Sequence, residues 1–146
     1  MAARFSGYAP AGRADPARTL RAAAFDFAVS AVAALILWPF PLVRVTLRVP
    51  PAAHVVLVVA WMLLVYVVYM TLSVALAGRT AAMYFLDLGL EGKRPFPAGA
   101  AFGWALGWAV ALVPALLGAR RLADPRGGLP ARFSGLTTTA ASEPQR

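Results

Sequence analysis

The chain has 146 residues, of which 60% are hydrophobic and 14% charged. Soluble domains average about 45–50% apolar and about 25% charged residues, so an ordinary soluble domain is excluded, and the hydrophobicity equally excludes a disordered chain. With no cysteine, disulfides, thiolate metal sites and cysteine nucleophiles are excluded as well.

The net charge is +8, and of the 14 basic residues only Lys93 is not arginine. The arginines sit between apolar segments rather than along one face. That spacing makes the lipid bilayer the expected partner and argues against nucleic acid. The Ala- and Arg-rich composition suggests a bacterial chain, and with it a plasma-membrane location.

Residues 1–21 carry Arg4, Arg13, Arg18 and Arg21 among glycines and prolines, and read as a flexible basic lead. The first apolar segment runs over 22–43, about 33 Å as a helix, enough to cross about 30 Å of hydrocarbon. Pro39 and Pro41 are expected to bend it or end it early. An Ala-x-Ala at Ala31–Ala33 raises the question of a cleaved leader. Asp26 inside the apolar run, and Leu35-Ile36-Leu37-Trp38 continuing beyond the cut, argue against it.

A short loop with Arg44, Arg48 and Pro50-Pro51 leads to the second segment, 54–77, which is Val/Leu-rich with Tyr66, Tyr69, Thr71 and Ser73 in its second half. Residues 78–97 form a loop, with an interfacial strand or short helix expected over 80–90 and a tight turn at Glu91-Gly92-Lys93-Arg94-Pro95. The third segment, 98–118, is uncharged, with Pro114 near its end. Residues 122–146 read as a flexible polar tail. The expected fold is therefore an all-α integral membrane domain over 22–121, with three transmembrane helices and flexible polar termini.

Three crossings divide the basic flanking residues evenly, seven on each side. The first helix usually dominates orientation, which places the N-terminus in the cytoplasm. The basic C-terminal tail then lies outside, against the usual bias. A third segment that re-enters or bends at Pro114 would relieve this. A simple crossing is preferred, because the segment is too short for two full spans.

Asp26 is the most informative residue, since an ionisable group inside a span is costly and marks a partner or a function. Arg21 lies about 140° round the helix from it, and Arg18 about 12 Å along the axis. An antiparallel second helix offers better partners. Counting in from Ala77 predicts Asp26 facing Ser73 or Tyr69, with Arg79 just beyond. Asp26 is also the one residue suited to carrying a proton or binding Na⁺ in a transport path.

In the third segment Gly99, Gly103 and Gly107 recur at spacing four, a groove that lets another helix approach closely. The expected use is a seam with a second copy or a partner helix, the alternative being packing within the chain. Trp104 and Trp108 stand beside it, facing lipid or a partner. His54 is the single histidine and reads as an interfacial residue. One His without Cys builds no metal site. Phosphate-loop and nucleophile motifs are absent, and the carboxylates are too sparse for an acid–base pair. Neither a cofactor nor enzymatic activity is expected.

Arg18-Thr-Leu-Arg21-Ala22-Ala-Ala-Phe25-Asp26, then Gly78-Arg79-Thr80 with Glu91-Gly92 and Pro95, then either Arg120-Arg121-Leu122-Ala-Asp124 or Arg132-Phe-Ser134-Gly135-Leu136, occur in the order found in RDD-family membrane proteins, which the chain resembles over residues 18–136. The family takes its name from one arginine and two aspartates. The resemblance implies a small multi-pass membrane fold, with Asp26 as the first aspartate and Asp124 the candidate for the second. It departs from the family pattern after Thr80, where Ala81-Ala82-Met83 replace a Gly-Lys. Ion or proton exchange has been proposed for some members.

Overall fold

The structure, a computed structural model, describes residues 10–38, 50–91 and 95–141. Pro39, Pro41, Arg44 and Arg48, and most of the expected turn at 91–95, lie outside the described residues.

Helix α1 spans Pro16–Ile36. It begins six residues before the apolar run because Asp15-Pro16 is a start signal that hydropathy does not register. The Asp15 side chain accepts from the Ala17 amide at 3.1 Å, and Pro16 occupies the first turn, where its missing N–H costs nothing. Its buried positions, Thr19, Ala22, Ala23, Asp26, Ser30 and Ala34, lie on one face, at steps of three or four save for the adjacent Ala22 and Ala23.

Helix α2 spans Pro51–Leu72 and continues as a π-helical turn over Ser73–Ala77. Gly78 ends it in the left-handed region (φ 72°), open to glycine without steric cost. The antiparallel pairing of α1 and α2 is fixed at two levels. Trp61 Nε1 donates to the Ala34 carbonyl at 3.0 Å, and Tyr69 meets Asp26. Among the described side chains of this path, only Tyr66, Met70 and Val74 are buried, all in its second half.

Helix α3 (Ala81–Phe85) and strand β2 (Leu88–Glu91) occupy the stretch expected to hold a strand or a short helix; both form. Helix α4 spans Ala98–Leu116 with Pro114 in its last turn. The helices at 16–36, 52–77 and 98–116 are each long and apolar enough to cross a membrane. This is compatible with a multi-pass membrane protein.

The expectation of flexible termini and a purely helical chain is corrected over the described part of the ends. After α4 come a 3-10 turn (Arg120–Ala123), helix α5 (Leu129–Ser134) and strand β3 (Thr137–Ala141). With β1 (Pro10–Arg13) these strands form an antiparallel sheet of order β1-β3-β2. Thr138 pairs with Leu90 and Thr139 with both Gly89 and Arg13. The β-branched run Thr137-Thr138-Thr139 favours a pleated, half-buried surface, whereas its polarity alone reads as a tail.

Candidate functional site

The site is built around the Asp26 carboxylate, which is 1% exposed in the middle of α1. Its Oδ1 accepts from the Tyr69 hydroxyl at 2.9 Å and from the Ala82 amide at 3.3 Å. Its Oδ2 accepts from the Thr80 hydroxyl.

The two hydroxyls also accept. Thr80 is the N-cap of α3, and its oxygen takes the Met83 amide at 3.2 Å. The Tyr69 oxygen takes the Ala81 amide at 3.3 Å. The first three N–H groups of α3, which no helical carbonyl can serve, thus all end on Asp26 or on a hydroxyl that donates to it. Partial positive charge at a helix start and a buried carboxylate complement one another. A chain of this kind is stable where every buried polar member is satisfied.

Local sequence explains how distant residues reach one point. The π-helical turn at Ser73–Ala77 inserts extra residues per turn, and left-handed Gly78 reverses the chain. Thr80 is thereby brought back to the level of Tyr69.

Next to this cluster lies a cleft of about 660 Å³, whose lining includes Tyr69, Ser73, Leu76, Arg79, Tyr84 and Phe96. The Arg79 guanidinium stacks over the Tyr84 ring at 4.3 Å, a cation–π contact. The cleft joins apolar walls, hydroxyls and one cation, an arrangement that suits an amphiphile with an anionic end.

The residues anticipated from sequence fare differently. Tyr69 faces Asp26 as expected. Ser73 lines the cleft instead, and Arg79 lies beyond on the same cleft. Arg18 stands away from Asp26, 3.9 Å from Asp87 in an exposed pair, and Arg21 is exposed on α1. Asp124 organises a turn, its Oδ1 accepting from the Arg126 and Gly127 amides at 2.9 and 3.2 Å.

A Cβ on Gly103 would lie 2.5 Å from the Phe133 carbonyl oxygen, and one on Gly107 2.5 Å from the Pro130 Cα, whereas Gly99 has open space. The chain's own α5 therefore fills the groove at Gly103 and Gly107. Trp104 and Trp108 are buried edge to face, with centroids 6.2 Å apart, rather than turned to lipid.

Sequence reasoning missed Thr80 and the Ala82 amide as partners of Asp26. The available signal was Thr80 as a helix N-cap directly after a glycine turn. Among the described residues no group of three or more His, Cys, Asp or Glu could hold a metal ion. Comparison with family models, curated proteins and solved structures found no match.

Proposed function

We propose that the chain is a small multi-pass membrane component of the RDD type, without covalent chemistry of its own, that binds an anionic amphiphile in the cleft beside Asp26. The observation that carries this reading is the cleft itself. Apolar Leu76 and Phe96 line it together with Arg79, which has no carboxylate partner among the described residues. The Asp26 cluster is the frame of this cleft, since Tyr69, Thr80 and Ala81 belong to both. The RDD assignment draws support from Asp26, in the first block of the resemblance, touching Thr80, in the second.

The test is thermal unfolding in zwitterionic micelles with added short-chain phosphatidylglycerol. A ligand that binds only the folded state raises the midpoint. The expected result is a rise for the natural chain, little rise for Arg79→Gln, and none with inorganic phosphate alone. Equal shifts in both proteins, or no shift in either, would reject the reading.

Ion or proton transport by an oligomer is a second reading. It rests on a buried carboxylate within a helix long and apolar enough to cross a membrane. A cation at Asp26 would have to displace hydrogen-bond donors from both carboxylate oxygens. Proton and sodium flux in proteoliposomes, natural chain beside Asp26→Asn, tests it. Association through the third apolar helix is left Gly99 and the outward face of α4.

A further inference from the structure

Three observations bear on how α4 sits in the membrane, independently of any ligand in the cleft. The first is the sheet. Strand β1 immediately precedes α1, β2 shortly precedes α4, and β3 follows α4, yet all three pair edge to edge. The chain before α1, the chain before α4 and the chain after α5 therefore meet on one side of the α1–α2 hairpin.

The second is where the two ends of α4 lie. Phe96, just before α4, sits with Gly78 and Arg79 at the Ala77 end of α2. At the other end, Leu116 and Arg120 share a small cavity with Pro16, Leu20 and Ala24 at the start of α1. Since α1 and α2 are antiparallel, these are the same end of the hairpin. No residue over 52–65 of α2 is buried, so α4 does not run along the far half.

The third is α5. It packs against Gly103 and Gly107, at mid-length of α4, and carries exposed Arg132. A crossing α4 would hold this arginine, and the non-helical backbone around Asp124–Gly128, in the hydrocarbon. An exposed charge and lipid-exposed non-helical backbone, here at Arg126 and Gly127, are both costly there.

We infer that α4 stays within one leaflet as a membrane-surface helix, and that only α1 and α2 cross. The exposed stripe Phe102, Leu106, Val110, Val113 and Leu117 recurs at helical spacing and is the face seated in lipid. Charge agrees. Arg44 and Arg48 alone lie in the connection between α1 and α2, so the other twelve of the 14 basic residues fall on the sheet side. The three-span threading splits the same residues evenly. Positive charge gathers on the cytoplasmic side, where it meets anionic headgroups. That side is therefore the sheet side.

The absence of native cysteine makes single-cysteine mapping clean. Ser6→Cys, Thr46→Cys, Ala119→Cys and Gly127→Cys are labelled with an impermeant maleimide in sealed right-side-out and inverted vesicles. The inference expects Ser6, Ala119 and Gly127 to label from one face and Thr46 from the other. Labelling of Ala119 or Gly127 from the face of Thr46 would overturn it. So would shielding from both faces, since the segment would then sit in hydrocarbon. Trypsin on the unsubstituted chain gives a second reading: cuts at Arg120 or Arg121 are expected only from the face that exposes Arg4, and cuts from the opposite face overturn the inference.

Discussion

The Thr80 hydroxyl donates to the Asp26 carboxylate while accepting from the Met83 amide, so the middle of α1 and the first turn of α3 are one hydrogen-bonded unit. Asp26→Ala leaves the Tyr69 and Thr80 hydroxyls and the Ala82 amide without their acceptor. Each buried group so orphaned costs about 1–3 kcal/mol. Asp26→Asn keeps one acceptor oxygen and is expected to cost less. Thermal unfolding in detergent should rank natural chain above Asn above Ala. Thr80→Ser should sit near the natural chain and Thr80→Val well below it, because valine loses both the cap and the carboxylate contact.

Gly103 and Gly99 look alike in sequence but differ in what a methyl group would meet. At Gly103 it would lie 2.5 Å from the Phe133 carbonyl oxygen, and at Gly99 it has open space. Gly103→Ala must push α5 away from α4, and is expected to loosen the backbone around Arg132 and so speed tryptic cleavage there. Gly99→Ala removes the helix penalty of glycine, about 0.5–1 kcal/mol, and should be neutral or stabilising. Limited proteolysis of the two variants separates them. Equal sensitivity would show that α5 does not hold that groove.

The two long helices of the hairpin are legible in the sequence because uninterrupted apolar runs such as Val55–Val59 allow little else. Asp26 stands out as the one carboxylate inside such a run, and antiparallel counting reaches Tyr69. Thr80 is not legible by that route. Its approach depends on the π-helical turn at Ser73–Ala77 and the reversal at Gly78, which no hydropathy window registers. The glycine spacing signals a close approach at Gly103 and Gly107 without saying whose backbone makes it. The sheet is hidden for a different reason: Arg13, Gly89 and Thr139 are far apart in the chain, and four- or five-residue strands carry little period.

Arg18 opens the run that leads to Asp26, yet its contact is an exposed pair with Asp87 at 3.9 Å. Exposed pairs contribute about 0–1 kcal/mol and weaken in salt. Arg18→Gln should therefore move the unfolding midpoint little, and less still at high ionic strength. A large loss that salt does not change would point to a contact of Arg18 other than Asp87.

Trp61 reaches across to α1, where its indole N–H serves the Ala34 carbonyl at 3.0 Å, one of the carbonyls that the last turn of a helix leaves free. Trp61→Phe keeps most of the ring and removes the donor. A hydrogen bond of this kind contributes about 1 kcal/mol, so a modest fall in unfolding midpoint is expected. No change would mean that the carbonyl finds another donor once the indole is gone.

Tyr66 and Tyr69 stand three residues apart on α2 and should respond in opposite directions to loss of the hydroxyl. Tyr69 donates to Asp26 and accepts from Ala81, so Tyr69→Phe orphans an amide and strips one donor from a buried carboxylate. A fall of about 1–3 kcal/mol is expected. The Tyr66 hydroxyl is fully buried without a hydrogen-bond partner among the described residues, while its ring packs edge to face on Phe27 at 5.5 Å. Tyr66→Phe keeps that ring contact and removes a group that is costly to bury unpaired. It should leave stability unchanged or raise it. Measuring both in one detergent cancels micelle effects, and a Tyr66→Phe loss as large as that of Tyr69→Phe would show that the Tyr66 hydroxyl is engaged after all.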